Sequence, residues 1–207
     1  RAGSATASIA QRRGVRFRSG VKVVSLVKGK GRLRAVKDAA GKVWEAEKFL
    51  FACGHWTNEL LKGQGIPMKV TKQEQIFLRP LFNRGRYRPE HFPVFSDHAS
   101  GFYGFPVHIH GFIKICAHRK GPVVKTVNPD DLRTLSPKFE KSCRTFFKKF
   151  MPELAPFIEF EGHVGWYDNT PDNDFILDRL PSLPNVYVAA GFSGHGFKFA
   201  PIVGKSM

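Results

Sequence analysis

The chain has 207 residues, of which 42% are hydrophobic and 24% are charged, as expected for one globular domain or part of a larger one. An aromatic content of 13% argues against a disordered chain, and no apolar run approaches the ~18–20 residues of a membrane span. The three cysteines (Cys53, Cys116 and Cys143) are far apart, which excludes a disulfide scaffold and a Cys-rich zinc fold and favours a reducing compartment.

The first part of the chain predicts a helix followed by a β-meander. Residues 5–13 have a helical composition, and Gly14 is placed to end the helix. Segments rich in β-branched residues, separated by glycine-containing turns, then predict strands over 15–18, 21–27, 32–37 and 43–51. A short helix is predicted over 56–61, directly after Gly54.

The middle of the chain predicts antiparallel strands and one long helix. Alternating apolar residues indicate strands over 68–78, 101–109, 112–118 and 157–167, the second and third forming a hairpin. Residues 129–135 predict a loop or a short helix. Residues 136–151 predict an amphipathic helix, because apolar residues recur there at helical spacing: Phe139, Cys143, Phe146, Phe147 and Phe150.

The last part of the chain predicts a strand over 186–190, a glycine-rich turn over 191–196 and a helix that begins near His195. The strand-and-helix pattern of the first part of the chain thus returns in the last part, and the mostly antiparallel pattern of the middle part lies between them. We predict a discontinuous fold, α/β plus α+β, with one domain formed by residues 1–62 and 180–207 and a second, mostly antiparallel domain by 63–179. Because the chain starts at Arg1 and stops at Met207 inside a predicted helix, we expect a fragment.

The sequence Ala189-Ala190-Gly191-Phe192-Ser193-Gly194-His195-Gly196-Phe197-Lys198 is the strongest local signal. A strand that runs through glycines into a helix aims backbone N–H groups and the positive helix end at an anion or a polarised carbonyl. Lys198 adds a full charge at the same point. The alternative is a plain strand–helix turn, and the glycines alone do not exclude it.

Two further segments carry candidate chemistry. Phe51-Ala52-Cys53-Gly54-His55-Trp56 is a second strand-to-helix junction with a glycine. On the strand over 112–118, Lys114, Cys116 and His118 share one face. A buried lysine is costly unless it is paired, which makes Lys114 a functional candidate; the alternative is a lysine on the solvated face of the sheet.

Charge and histidine spacing raise two other possibilities. The formal net charge is +16, and residues 1–50 hold 13 basic and 3 acidic residues, a field that attracts anions. No groove-reading or RNA-binding motif accompanies the charge, so nucleic acid is an unlikely partner. His108 and His110, opposite Cys116 and His118 in the hairpin, can be read as a metal site, but ordinary hairpins carry such histidines and we predict no metal.

Four stretches together resemble one family: FACGHWTNELL, GFYGFP, FIKICAH and YDNTPDNDFILDRLPSLPNVYVAAGFSGHGFKFAPIVGK. They are similar to flavin amine oxidases of the D-amino-acid-oxidase superfamily, and most similar to its branch of monomeric sarcosine, N-methyltryptophan and pipecolate oxidases. The resemblance implies that the discontinuous domain is part of a glutathione-reductase-like FAD-binding domain. It implies that residues 63–179 form the substrate-binding domain.

The resemblance also implies roles for individual residues. Lys114 matches a lysine that promotes the reaction of reduced flavin with O2, and Lys198 one that binds the substrate carboxylate. Tyr103, His118 and Tyr167 match active-site residues of the substrate pocket. The residues that match contacts to FAD are Val23, Cys53, Gly54, Trp56, Gly191, Ser193, Gly194, His195, Gly196, Phe197 and Lys198.

Two departures from the family pattern change what is expected. The GxGxxG unit that holds the FAD pyrophosphate is absent from these 207 residues, so we expect the fragment alone to be inactive. The cysteine that carries covalently attached FAD in this branch of the family is Gly165 here, so we expect FAD to be non-covalent at this position, held non-covalently or by another residue.

The implied activity is the oxidation of a secondary amine with a carboxylate to an imine, while O2 is reduced to H2O2. An N-methyl or cyclic amino acid fits this description. A monomer in the cytoplasm, or in the peroxisome, is expected. The alternatives are a non-catalytic remnant of the same fold and a basic module that binds anions or nucleic acid.

Overall fold

A computed structural model of the protein describes residues 2–80, 83–107, 111–125 and 134–207. Its helices are α1 (Ala2–Arg12), α2 (Thr57–Leu60), α3 (Pro137–Phe150) and α4 (Ala200–Ser206). Its strands are β1 (Val23–Gly29), β2 (Arg32–Asp38), β3 (Val43–Glu45), β4 (Phe49–Phe51), β5 (Lys69–Leu78), β6 (Phe95–Asp97), β7 (Phe102–Phe105), β8 (Ile113–Ala117), β9 (Phe160–Asn169), β10 (Ile176–Arg179) and β11 (Val186–Ala190).

The described strands form three sheets, with the orders β1-β2-β3, β10-β11-β4 and β6-β7-β8-β5-β9. The five-stranded sheet is antiparallel throughout, and its centre is the ten-residue pairing of β5 with β9. In the second sheet β11 pairs parallel with β4 and antiparallel with β10. The predicted mixture of α/β and antiparallel β structure is therefore observed.

Helix α3 covers one face of the five-stranded sheet. Its stripe of phenylalanines packs on alternate residues of β5 and β8, and Ile76, Ile113 and Phe147 are all fully buried. The helix begins where its sequence provides a cap: the hydroxyl of Ser136 accepts the N–H of Phe139, and Pro137 follows at the first helical position. Helix α3 does not cover the opposite face of the sheet, which we call the free face. The candidate residues Tyr103, Lys114 and Tyr167 lie on this face.

A second core joins segments that are far apart in the chain. Leu33, Phe51 and Val186 are buried together between the three-stranded sheets. The buried side chain of Asn185 accepts the N–H of Leu33 and donates to the carbonyl oxygens of Leu33 and Glu47. These bonds attach the β-meander to β11.

Most predicted elements are confirmed as to type, but the prediction was wrong at several points. Residues 15–18 form no strand, because the exposed Val15 and Phe17 have no neighbouring strand to pair with among the described residues. The single strand predicted over 43–51 is two strands, β3 and β4, which belong to different sheets. The sequence patterns also missed β6 and β10, which are only three and four residues long.

The pairing of β4 with β11 brings residues 49–51 beside 186–188, that is, the two segments of the predicted discontinuous domain. β10, which the sequence analysis assigned to the other domain, extends the same sheet. None of the helices in the described residues combines the length and the apolar character that a membrane span requires.

Candidate functional site

Three candidate residues converge on the free face of the five-stranded sheet. Tyr103 on β7 lies opposite Cys116 on β8, and Tyr167 lies on β9 at the end of the sheet. The ring of His118, which directly follows β8, lies 6.0 Å from the ring of Tyr103 and 6.0 Å from that of Tyr167 (centroid distances). The structure therefore places together the three side chains that the sequence assigned to a substrate pocket.

The two tyrosines are partly buried, and their hydroxyls interact. Burial raises the pKa of Tyr103 above its ordinary value, and the neighbouring Cys116 thiol and Tyr167 hydroxyl raise it further. Burial also raises the pKa of Tyr167, although the hydrogen bond from Tyr103 opposes this effect. Both phenols therefore remain protonated at neutral pH and can act as hydrogen-bond donors.

Lys114 lies on the same face, two residues before Cys116, and is half-buried. Its ammonium group lies 5.7 Å from the ring centre of Phe77 and 5.6 Å from that of Phe105. These rings form part of the wall of a cavity of about 590 Å³, which Glu161 and His163 also line. Within the described part of the chain Lys114 forms no ion pair, and its charge faces a cavity whose wall is mostly apolar, with Glu161 and His163 as the polar residues.

The glycine-rich turn after β11 is held by Asp168, the residue that follows Tyr167. The Asp168 carboxylate accepts the N–H of Gly191 at 2.9 Å, and its backbone carbonyl accepts the N–H of Ser193 at 3.1 Å. Asp168 itself is only 8% exposed. A buried carboxylate with strong backbone donors thus fixes the course of the turn.

Close approach explains the glycines of this turn. Gly191 has φ +70° and Gly194 φ +79°, backbone angles that side chains disfavour. A Cβ at Gly194 would lie only 2.3 Å from the Tyr167 ring, and one at Gly191 2.5 Å from the methyl group of Thr170. The backbone of the turn therefore packs directly on Tyr167, which connects it to the pocket residues.

Part of the backbone of this turn is used within the protein. The N–H groups of Gly191 and Ser193 donate to Asp168, and that of His195 donates to the carbonyl of Phe192. For Phe192, Gly194, Gly196, Phe197 and Lys198, no backbone donor bond is present among the described residues. The N–H groups of these five residues, four of them from Gly194 onward, are left for a ligand.

The final helix begins near the predicted position. Phe197–Phe199 form a single 3-10 turn that continues directly into α4 at Ala200. Helical structure thus starts two residues after His195, and Pro201 lies in the first turn of α4, where its missing N–H costs no hydrogen bond. Lys198 is therefore an exposed residue of the 3-10 turn, its ammonium 5.3 Å from the Phe199 ring centre, and not among the residues lining the Lys114 cavity.

The junction after β4 lies next to β9. His55 contacts the ring of Trp56 at 3.9 Å and that of Trp166 at 5.3 Å between centroids. Burial lowers the pKa of His55, partly offset by the charge of Asp168, and its Nε2 atom is buried without a partner among the described residues. Cys53, Gly54 and the half-exposed Trp56 lie in the same junction, whereas Val23 is at the start of β1.

Gly165 lies on the free face between His163 and Tyr167, opposite Gln73. A Cβ added there would meet nothing within 4 Å, so the sheet is bordered by open space at this point. A planar ring system can approach the backbone here without displacing a side chain. The residues present therefore fit a bound flavin in this region.

Sequence reasoning missed Asp168 and His55. Asp168 is an acidic residue directly after a strand and before Asn169-Thr170, a pattern that suggests a turn but not which backbone it would hold. The candidate metal ligands His108 and His110 lie outside the described residues.

Comparisons with known proteins agree on one family. The sequence model of the DAO family, described as FAD dependent oxidoreductase, matches residues 1–207. The monomeric sarcosine oxidase of Streptomyces avermitilis is 34% identical over 173 residues, which is 80% of this chain and 44% of that protein. The peroxisomal sarcosine oxidase of Homo sapiens is 33% identical and covers 91% of this chain and 49% of that protein.

Solved structures show the same fold. Fructosamine oxidase (Amadoriase II) from Aspergillus fumigatus superimposes with a TM-score of 0.84 at 24% identity, covering 98% of this chain and 51% of that one. This likeness concerns the fold alone. The chain thus spans about half the length of the relatives it matches.

Proposed function

Since the chain belongs to the DAO family of FAD-dependent oxidoreductases, we propose that it carries the substrate-binding part of a flavin amine oxidase. The proposed substrate is a secondary amine with a carboxylate, such as an N-methyl or cyclic amino acid, and the products are an imine and H2O2. The names of the curated relatives, sarcosine oxidase and N-methyl-L-tryptophan oxidase, support this substrate class.

One observation carries the proposal. Tyr103, His118 and Tyr167 surround one point on the free face of the sheet, and the backbone of Gly194 packs on the Tyr167 ring. Four segments that are distant in the sequence thus meet at one place. Such convergence of polar side chains with a glycine-rich turn is typical of a cofactor and substrate site.

In the proposed site FAD is held without a covalent bond. Its contacts would come from the open surface at Gly165, from the second half of the glycine turn, and more distantly from Val23 at the start of β1. The remaining proposed contacts are Cys53, Gly54, Trp56, Gly191, Ser193, Gly194, His195, Gly196, Phe197 and Lys198. When bound, FAD supplies the oxidation of the C–N bond and the reaction with O2.

The side chains of this protein would bind and orient the substrate. The protonated hydroxyl of Tyr103 donates to the hydroxyl of Tyr167, which leaves the O–H of Tyr167 to donate a hydrogen bond into the pocket. The ring of His118 lies beside both tyrosine rings. The ammonium group of Lys198 attracts the substrate carboxylate. The unpaired charge of Lys114, in its mostly apolar cavity, stabilises negative charge that develops as O2 is reduced.

The wider assignments belong to the same proposal. Residues 1–62 and 180–207 contribute to a glutathione-reductase-like FAD-binding domain, and residues 63–179 form the substrate-binding domain. The protein acts as a monomer, in the cytoplasm or in the peroxisome. The names of two relatives, one monomeric and one peroxisomal, support the monomer and the peroxisomal alternative.

The proposal is tested with a protein in which this chain is joined to a GxGxxG unit, because these 207 residues alone are expected to be inactive; this joined protein is used in every assay of bound flavin. It is titrated with FAD, and amines are then added. We expect a shifted flavin absorption spectrum, followed by amine-dependent bleaching and H2O2 formation with sarcosine, N-methyl-L-tryptophan or a cyclic amino acid. Tyr167→Phe should alter the spectrum or its response to amines, while Tyr87→Phe should not, since Tyr87 is a buried tyrosine in the α3 core, bonded to Glu153. A joined protein that binds no FAD would instead favour the non-catalytic alternative.

A further inference from the structure

A groove runs along the outer side of α3, away from the candidate site. It has a volume of about 510 Å³ and lies between α3, the turn from β6 to β7, and Arg119 after β8. Since α3 covers the opposite face of the sheet from Tyr103 and Tyr167, the groove is separate from the proposed flavin site. We call it the α3 groove.

The α3 groove is strongly basic. Its walls carry Arg119, Lys138, Lys141 and Lys149 against one carboxylate, Asp97. That carboxylate already accepts the N–H groups of two neighbouring turn residues, at 3.1 and 3.2 Å. In the described part of the chain none of the four cations forms a salt bridge, so their charge is available to a ligand.

The cations are arranged in a line. Lys138, Lys141 and Lys149 follow one another at i, i+3 and i+11, which places them on one side of the helix over roughly 16 Å. The hydroxyls of Ser142 and Thr145 lie between them in the groove wall. A row of this length exceeds two or three linked phosphates and suits an extended anion in which linked phosphates are joined to further groups.

An exposed aromatic ring, that of Phe150, lies at the end of the row of lysines on α3. Phe150 is 51% exposed although it belongs to the groove wall, and the ammonium of Lys149 lies 4.9 Å from its ring centre. Exposed aromatic rings beside cations are surfaces on which nucleobases stack. The arrangement therefore offers one part of the groove to phosphates and another to a base.

We propose that the α3 groove binds a nucleoside diphosphate or triphosphate, with its terminal phosphates at Lys138 and Lys141, the phosphate next to the sugar towards Lys149, and its base against Phe150. Arg119 is held ready for the phosphates, since its guanidinium donates to the carbonyl of Ala99 at 2.5 Å. The volume is in the range of small-molecule sites. This inference does not depend on the proposed oxidase function.

The test is calorimetric titration of the full chain with ADP in the absence of FAD, because FAD contains an ADP group and would compete for the groove; the groove variants distinguish this site from the flavin site. We expect binding that weakens about tenfold or more in K141A/K149A, since two charge-assisted contacts are removed. The charge-matched control K28A/K37A, on exposed positions of β1 and β2, should bind ADP as the unaltered chain does. Phe150→Ala should weaken ADP binding and leave the affinity for inorganic phosphate unchanged.

Three results would overturn the inference. The first is that ADP does not bind. The second is that K141A/K149A and the control K28A/K37A lose the same amount of ADP affinity, which would indicate a general attraction of the anion to a basic protein. The third is binding of oligothymidylate without binding of ADP, with the steep salt dependence of phosphate-backbone contacts; the groove would then serve a nucleic acid. Thermal unfolding of each variant, expected to be unchanged because the altered side chains are exposed, shows that the fold is intact.

Discussion

At the scale of single residues, Tyr167 and Gly194 connect the two halves of the candidate site. The backbone of Gly194 lies against the Tyr167 ring. Asp168 fixes the same turn by accepting hydrogen bonds from the N–H groups of Gly191 and Ser193. The glycine is required for two independent reasons, its φ of +79° and the absence of room for a Cβ. Small changes here should therefore affect both stability and ligand binding.

Gly194→Ala should lower the free energy of unfolding by about 1–3 kcal/mol, because the added methyl group meets the Tyr167 ring in a strained backbone conformation. Urea unfolding followed by circular dichroism measures this change. Gly204→Ala in α4 is the matched control, since its Cβ meets nothing within 4 Å, and it should be neutral or stabilising. Equal stability of the two variants would show that the turn does not press on Tyr167.

Lys114→Met should slow the reoxidation of the reduced flavin by O2 about 10²-fold, because an unpaired charge in a mostly apolar cavity is removed. Reduction by the amine should change much less. Stopped-flow measurement of the two half-reactions separates these effects, with exposed Lys120→Met as a control. An unaltered oxidative half-reaction would remove Lys114 from the proposed role.

At the scale of elements, hydrogen bonds in turns decide where strands begin and end. The Asp38 carboxylate accepts the N–H groups of Ala40 and Lys42 and the indole N–H of Trp44, and thereby closes the turn between β2 and β3. The hydrogen bond from the Trp44 indole is the main reason that the pKa of Asp38 lies below its ordinary value, and the two backbone hydrogen bonds lower it further. A carboxyl group with a lowered pKa stabilises the folded state above its unfolded pKa, and this contribution is lost as the pH falls through the folded value.

Asp38→Asn should therefore destabilise the protein at pH 7, and its difference from the unaltered chain should shrink as the pH falls below about 4. Urea unfolding monitored by tryptophan fluorescence, repeated between pH 7 and pH 3, measures the free energy of unfolding of the variant and of the unaltered chain. Asp178→Asn, at an exposed position of β10, serves as the control. A difference that stays constant with pH would mean that the charge of Asp38 does not contribute.

At the scale of the whole molecule, the chain matches about half the length of its relatives, and Gly165 stands where the family resemblance implies a cysteine for covalent flavin. The backbone at Gly165 faces open space, and the described cysteines Cys53, Cys116 and Cys143 lie elsewhere, the last two buried. A flavin in the proposed site has no thiol at Gly165 to bond to. We propose that non-covalent contacts retain it.

We therefore expect acid precipitation of the FAD-loaded protein to leave the flavin in the supernatant, as measured by its absorbance. The free volume at Gly165 admits a cysteine, so Gly165→Cys should fold normally and provides the matched comparison. Flavin that remains with the precipitated unaltered protein would contradict non-covalent binding.

Local sequence patterns were enough to predict several of the elements. The phenylalanine stripe predicted α3, because 3.6-residue periodicity needs no knowledge of the partner sheet. Alternation predicted β5 and β9, and the glycine run marked the turn after β11. Together with the motif resemblance, these patterns also identified Tyr103, Lys114, His118 and Tyr167 as candidates.

Only the tertiary structure decided features that depend on distant parts of the chain. Residues 43–51 read as one strand, but pairing with β2 on one side and β11 on the other divides them between two sheets. Asp168 holds the glycine turn and the row of lysines on α3 borders a groove only because remote segments pack beside them. Periodicity records which face of an element is buried, whereas strand partners, carboxylate contacts and grooves arise from non-local packing, which no local pattern encodes.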